Sequence, residues 1–372
     1  MNAVAVCHRR PSCQNTLMPT DQSLPSRYLA ILHWLAGQIA QLARREFIAM
    51  LVGAAATWPL VAHAQQPDHV RQIGVLMGVA DHDPDAHPRV AAFEQGLQDL
   101  GWINGRNIRI DYRWPTRDTE GMRKIARDLV ESRPEVVVAT GTAWVEALVR
   151  ETSTTPVVFV LVSDPVGSGF VASWSRPGGN VTGFSNLEGP IGGKWLETLK
   201  ALAPRLKRTA MLFNPSMAAG SGSYFLDSFE ATARSLGVMP IAAPVRSAAD
   251  IDGVLSALAR ESDGGFVVVP DQFLTLQRGL IVALATQNRL PAIYPFRYYV
   301  TDGGLMSYGI FPADLYRRSA SYVDRLLHGA KPSELPVQGP TRFELVINLK
   351  TAKALGLAVP RSLLGRVDEV IE

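Results

Sequence analysis

From residue 72 onward, short runs of β-branched and aliphatic residues alternate with longer stretches in which apolar side chains recur at helical spacing. The first run, 72–78 (QIGVLMG), reads as a strand. Over 89–100, Val90, Phe93, Leu97 and Leu100 make one face of a helix, with Gly101 as its stop. Continuing in the same way, the pattern predicts strands over 107–114, 135–140 and 156–162, and helices over 120–132 and 142–152. The turn-rich Arg176-Pro177-Gly178-Gly179-Asn180 closes this unit. A second unit repeats the grammar, with helices over 194–202, 224–236, 251–260 and 277–288 and strands over 208–214, 238–244, 265–270 and 292–296. The run 303–308 (GGLMSY) is a strand leading out. A helix over 312–328 follows, carrying Arg317, Arg318 and Arg325 on its polar face, then an extended run over 341–348 and a short terminal helix. Helices alternating with unbroken apolar strands argue for an α/β fold with parallel sheets covered on both faces. Two similar halves make a bilobed clamp.

In open α/β sheets ligands bind beyond the carboxyl ends of the strands, where helix N-termini aim N–H groups into the crevice. The loops at those ends read Val79-Ala80-Asp81, Thr140-Gly141-Thr142, Ser163-Asp164-Pro165, Asn214-Pro215-Ser216 and Asp271-Gln272. They are small and polar, and none carries a nucleophile–base pair. Such a surface is suited to holding a solute.

Several residues admit two readings. Thr140-Gly141-Thr142 follows a strand and opens a helix, so it is either a carboxylate-binding N-terminus or a plain cap. Asp164 and Asp271 are either ammonium acceptors or residues of a local Asx turn. Tyr294, Phe296 and Tyr308 form either an aromatic wall or core. The stretch 81–87 (DHDPDAH) has a spacing compatible with a metal, against the alternative of a solvated loop, which is favoured because adjacent loop positions rarely build a defined site. Gly167-Ser168-Gly169-Phe170-Val171-Ala172 fits a dinucleotide fingerprint, yet Asp164-Pro165-Val166 separates it from its strand. Gly192-Gly193-Lys194 lacks the first glycine of a phosphate loop, and Trp195 stands where magnesium would need Ser or Thr. No metal and no cofactor is expected.

Composition alters the picture mainly at the front end. Of 372 residues, 47% are hydrophobic and 19% charged, ordinary for a globular chain long enough for two lobes. The formal charge of +3 is accounted for by Arg9, Arg10, Arg27, Arg44 and Arg45 against Asp21 and Glu46, all before residue 65. The remainder is balanced, which argues against a nucleic-acid partner. Arg44-Arg45 precedes an uncharged stretch over 47–62 that ends in Ala62-His63-Ala64, the form of a twin-arginine export signal (44–64) cleaved after Ala64. The apolar stretch is shorter than the roughly 20 residues of a spanning helix, so no stable membrane insertion of the mature chain is expected. Residues 1–43 read as a mis-called or extended leader. They contain both cysteines, Cys7 and Cys13, so the mature chain has no thiol.

The run over 164–185 (DPVGSGFVASWSRPGGNVTGFS), Pro291-Ala292-Ile293-Tyr294 with 303–309 (GGLMSYG), the tail over 343–372 (FELVINLKTAKALGLAVPRSLLGRVDEVIE) and the leader RREFI…AQQP resemble the substrate-binding proteins of the tryptophan/tyrosine-type ABC-transporter family. The resemblance covers residues 44–372. It implies a type I periplasmic-binding-protein fold, with two Rossmann-like lobes joined by a three-crossover hinge. The corresponding lobes are 68–182 with 305–338, and 183–304 with 339–372. Carried over position by position, Thr140, Gly141, Thr142, Asp164 and Asn186 match positions where the family lines its cleft, with Asp271 and Tyr294 facing them. The function implied is periplasmic binding of a small amino-acid-like, aromatic solute, handed to an ABC permease and its ATPase without catalysis. A ligand sensor that docks onto a membrane receptor is the alternative. The acidic, His-rich stretch 81–87 departs from the family pattern.

Overall fold

The computed structural model describes residues 70–116 and 118–372, together with Ile31, His33 and Trp34. The expected export signal, its cleavage after Ala64 and the leader over 1–43 lie outside the described residues, those three positions excepted. Both sheets lie in the compact unit His69–Glu372.

The first sheet is built from β1 (Arg71–Leu76), β2 (Ile108–Arg113), β3 (Val136–Thr140), β4 (Val157–Val162) and β5 (Val181–Ser185), in the order β2-β1-β3-β4-β5, all parallel. Every residue of β3, β4 and β5 is buried, as the unbroken apolar runs require of strands covered on both faces. The covering helices include α1 (Ala86–Gln98), α2 (Thr119–Glu131) and α3 (Thr142–Glu151). Asp118 caps α2 by accepting from the Gly121 N–H at 2.7 Å. Near the end of β4 the register against β5 shifts between Val160 and Val162, and Leu161 takes a positive φ of 61°. This bulge turns the backbone at the sheet's carboxyl edge.

The second sheet has β6 (Arg208–Phe213), β7 (Met239–Pro244), β8 (Gly264–Val268), β9 (Ala292–Tyr294), β10 (Met306–Gly309), β11 (Glu344–Asn348) and β12 (Glu369–Ile371), in the order β12-β11-β10-β9-β8-β6-β7. The pair β10/β11 is antiparallel and the others are parallel. Its helices include α4 (Ile191–Leu202), α5 (Ser223–Ser235) and α6 (Ala248–Ala259). The helix expected over 277–288 is α8 (Arg278–Gln287); a separate short helix that the pattern does not predict, α7 (Gln272–Leu276), precedes it with Asp271 as its cap. A short helix, α9 (Tyr298–Thr301), follows β9.

The chain passes between the sheets three times. It leaves the first after β5, at Ser185, rather than after residue 182. It returns after β10, rather than at 305, because Met306 pairs with both Ile293 and Ile347 of the second sheet. Gly309 marks that exit: a Cβ there would stand 1.8 Å from the Pro295 carbonyl oxygen, an approach that only glycine permits. The returning helix α10 (Pro312–Leu327) packs on α1 and on β3, β4 and β5. Gln338 then bonds to the edge of β5, with Ser185 N–H donating to its carbonyl at 2.8 Å, before the chain re-enters the second sheet at Glu344.

Candidate functional site

The carboxyl ends of the two sheets face each other across a cleft. The first lobe brings Gly78, Arg89, the Thr140-Gly141-Thr142 turn, Leu161 and Asn186; the second brings Met217, Asp271, Gln272, Thr275, Phe296 and Tyr298. The two walls touch: Gln272 Nε2 donates to the Gly78 carbonyl at 2.6 Å, and the remaining space is about 30 Å³, the size of a water molecule.

Each wall follows from its local sequence. Gly141 ends β3 and opens α3 at φ 84°, ψ 163°, a conformation open to glycine and strained for other residues. Its own N–H closes the sheet ladder on Val160 at 2.8 Å, and the turn presents the first N–H groups of α3 to the cleft. The Thr140 hydroxyl is shared at 2.5 Å with Tyr316 of α10, both buried, so it ties the returning helix to β3. Asn186 is held on all sides: its Oδ1 accepts from Ser163 Oγ at 2.8 Å and from Leu187 N–H at 2.5 Å, and its Nδ2 donates to the bulged Leu161 carbonyl at 3.1 Å.

Across the cleft, Asp271 is buried. Its carboxylate accepts from Leu274 N–H at 2.7 Å, as the cap of α7, and from Asn214 N–H at 2.8 Å. Burial pushes its pKa up to about 7, against the pull of these N–H groups toward the charged form.

Two expected residues lie outside the cleft lining. Asp164, at φ 46°, accepts from Gly167 N–H at 2.8 Å and forms a local turn. Tyr294 is fully buried in β9, its ring stacked on Tyr299 at 4.8 Å and edge-on to Phe266 at 6.1 Å. It borders a separate pocket of about 290 Å³ with Leu290, Gly303 and Thr351. A residue inside a strand projects onto a sheet face, whereas Phe296 and Tyr298, beyond the strand end, reach the cleft.

Arg89, Thr275 and Tyr298 carry no site expectation from the sequence, and Gln272 only that of a polar loop end. Arg89 is 2% exposed, donates twice to Asp85 Oδ2 at 2.9 and 2.5 Å, and lies 5.4 Å from the Tyr298 ring centre. Burial alone would lower its pKa, but the Asp85 carboxylate outweighs it and keeps the guanidinium charged. The signal was present in the chain: Ala86, Arg89, Phe93 and Leu97 form the buried stripe of α1, and a cation within an apolar stripe calls for a partner. In the stretch 81–87, His82 Nδ1 meets Asp81 at 3.1 Å, Asp83 pairs with Arg278 and Asp85 with Arg89. Among the described residues no cluster of three or more His, Cys, Asp or Glu is arranged for a metal, and no helix is long and apolar enough to cross a membrane.

A family model described as ABC transporter substrate binding protein matches residues 72–371, a span that includes both sheets and the whole cleft. The chain belongs to that family. Substrate-binding proteins of this family bind small solutes and work with an ABC permease. A "Tyrosine-binding protein" of Clostridioides difficile (strain R20291) is 25% identical over 293 residues, 79% of this chain and 84% of the relative. The solved structure of an ABC domain in complex with L-Trp, from Streptococcus pneumonia, is 26% identical at a TM-score of 0.74, covering 81% of this chain and 100% of that one. The ligand-free, open structure of a substrate binding protein with adhesive properties from Clostridium difficile is 25% identical and covers 81% of this chain and 99% of that one, but its TM-score is 0.59. At equal coverage, the substrate-binding protein described here superposes better on the L-Trp complex than on the open form.

Proposed function

We propose that this substrate-binding protein is the exported, periplasmic receptor of an ABC uptake system and that its interlobe cleft takes an amino-acid zwitterion with an aromatic side chain. The carrying observation is the distribution of charge across the cleft. Arg89 and the N–H groups of α3 at Thr142 offer a positive wall to a carboxylate. Asp271 faces them and offers a negative one to an ammonium group. Phe296 and Tyr298 stand beside these groups as the surface for a ring, and Asn186 and Thr275 supply hydrogen-bonding edges. In this reading Thr140 and Gly141 shape the turn, Asp164 fastens the loop after β4, and Tyr294 belongs to the core. The likeness to a tyrosine-binding protein and to an L-Trp complex supports the same solute class.

Export by the signal over 44–64, cleavage after Ala64, and partnership with a permease and its ATPase complete the proposal. The lobes are 70–186 with 311–338, and 187–310 with 339–372.

Thermal denaturation in the presence of L-tryptophan, L-tyrosine, L-phenylalanine and glycine tests the reading. An aromatic amino acid at a hundredfold its dissociation constant is expected to add about 2.7 kcal/mol of stability. It should also be recovered unchanged after long incubation. Failure of all three aromatic amino acids to raise the transition, or turnover of any of them, would overturn the proposal.

A further inference from the structure

The lobes are also joined outside the cleft lining. Arg278, the first residue of α8 in the second lobe, donates through its terminal nitrogen to Asp83 Oδ2 at 2.5 Å, in the loop between β1 and α1 of the first lobe. Among the described residues this is the ion pair that links the two lobes, and its side chains are only 9% and 14% exposed. Both ends are held in place. Arg278 Nε donates to Asp302 of its own lobe at 2.6 Å, and its guanidinium lies 4.9 Å from the Tyr298 ring centre. Asp83 Oδ1 accepts from Asp85 N–H at 2.8 Å, which fixes the loop that also carries the partner of Arg89. The Tyr298 ring therefore meets a guanidinium from each lobe, Arg89 from the first and Arg278 from the second. Neither Asp83 nor Arg278 lines the cleft.

We propose that the Asp83–Arg278 pair is a closure latch that sets how fast the receptor releases its solute, without touching that solute. The part that concerns solute rests on the cleft reading above. Separating the lobes breaks this pair and exposes both charges to water. The closed state alone therefore gains its Coulomb attraction, in a surrounding of lower dielectric than bulk water. The usual desolvation cost of a partly buried pair is offset by Asp302 and by the ring beneath the guanidinium. Release requires opening, so a bond present only in the closed state acts on dissociation and leaves encounter largely unchanged. The acidic stretch 81–87 thereby has a use: it places Asp83 on the second lobe and Asp85 on Arg89.

Asp83→Asn is the test, because asparagine keeps the Oδ1 acceptor for Asp85 N–H and deletes the charge. Two spin labels at exposed positions, one on each lobe, report the lobe separation without ligand. The variant is expected to shift that distribution toward larger distances. L-Tryptophan should leave it about tenfold faster than the parent, equivalent to ~1.4 kcal/mol, with association changed less than about twofold. Arg278→Lys, which keeps the charge, should fall between the two. If Asp83→Asn does not fold, Arg278→Gln replaces it in the same measurements. A folded variant with the parent's distance distribution and the parent's release rate would overturn the latch. If the parent itself binds no L-tryptophan, the solute reading fails, and the ligand-free distances still decide the latch.

Discussion

Asp271 is subject to two opposed influences on its proton. Burial raises its pKa to about 7, while the N–H groups of Leu274 and Asn214 favour the carboxylate. An unfolded aspartate titrates near ~3.9, so between that value and about 7 the folded chain holds a proton that the unfolded chain has lost. The stabilisation from this group is complete below pH ~3.9 and disappears as the pH rises through about 7. Denaturation of Asp271→Asn is therefore expected to show a flatter dependence of stability on pH over that window than the parent. A solute ammonium beside the carboxylate would favour its charged form, so uptake of L-tryptophan near neutral pH should release a proton. Calorimetry in buffers of different ionisation enthalpy reads that release, and it should vanish in Asp271→Asn. A buffer-independent enthalpy in the parent would place the ammonium elsewhere. At this scale the polar loop ends were legible in the chain, and Thr140, Gly141, Thr142, Asn186 and Asp271 stand around one cleft. Arg89 is marked in the chain only by its place in the apolar stripe with Phe93 and Leu97, and which partner and which cleft it meets depends on the residues that cover it.

Among the elements, the turn from β3 into α3 governs the first wall. Gly141, at φ 84° and ψ 163°, sets the direction in which α3 begins, and its N–H is already bonded to Val160. Gly141→Ala keeps the hydrogen bond and forces a Cβ into that conformation, at a cost of about 1–3 kcal/mol. Chemical denaturation should register this loss, and affinity for L-tryptophan should fall with it because the α3 N–H groups are redirected. A variant as stable as the parent would mean that the turn tolerates side chains. The bulge at Leu161 is the converse case: its positive φ of 61° is carried by a residue that gives no sign of it in the chain. Strand and helix identities followed from apolar periodicity. The short helix α7 did not, since Asp271 as a cap and Asp271 in a loop look alike without their partners.

For the whole molecule, neither lobe is continuous in sequence. The first sheet ends at Ser185, yet α10, which returns more than a hundred residues later, buries Leu315, Tyr316, Ser319, Tyr322 and Val323. Its Asp324 accepts from Trp102 Nε1 at 2.9 Å, and Arg317 reaches Asp99 at 2.6 Å. Residues 70–185 alone leave the apolar face of that sheet open to water, and such a face drives aggregation. The fragment is expected to remain unfolded or insoluble. The same fragment joined by a flexible linker to residues 311–338 should unfold cooperatively, with transitions by circular dichroism and tryptophan fluorescence that coincide. Independent folding of 70–185 would show that the crossovers serve the hinge alone.

The linear pattern by itself determined that this is an α/β chain with parallel sheets. Strands buried on both faces must be apolar throughout, and that requirement is written residue by residue. The resemblance then supplied two lobes and a solute-binding role, which the family match bears out. Only the tertiary structure decided that β10 joins the second sheet, that Tyr294 belongs to the core while Tyr298 reaches the cleft, and that Asp83 meets Arg278. Each of these depends on a partner far away in sequence, and local propensity carries no record of which distant group a side chain will meet.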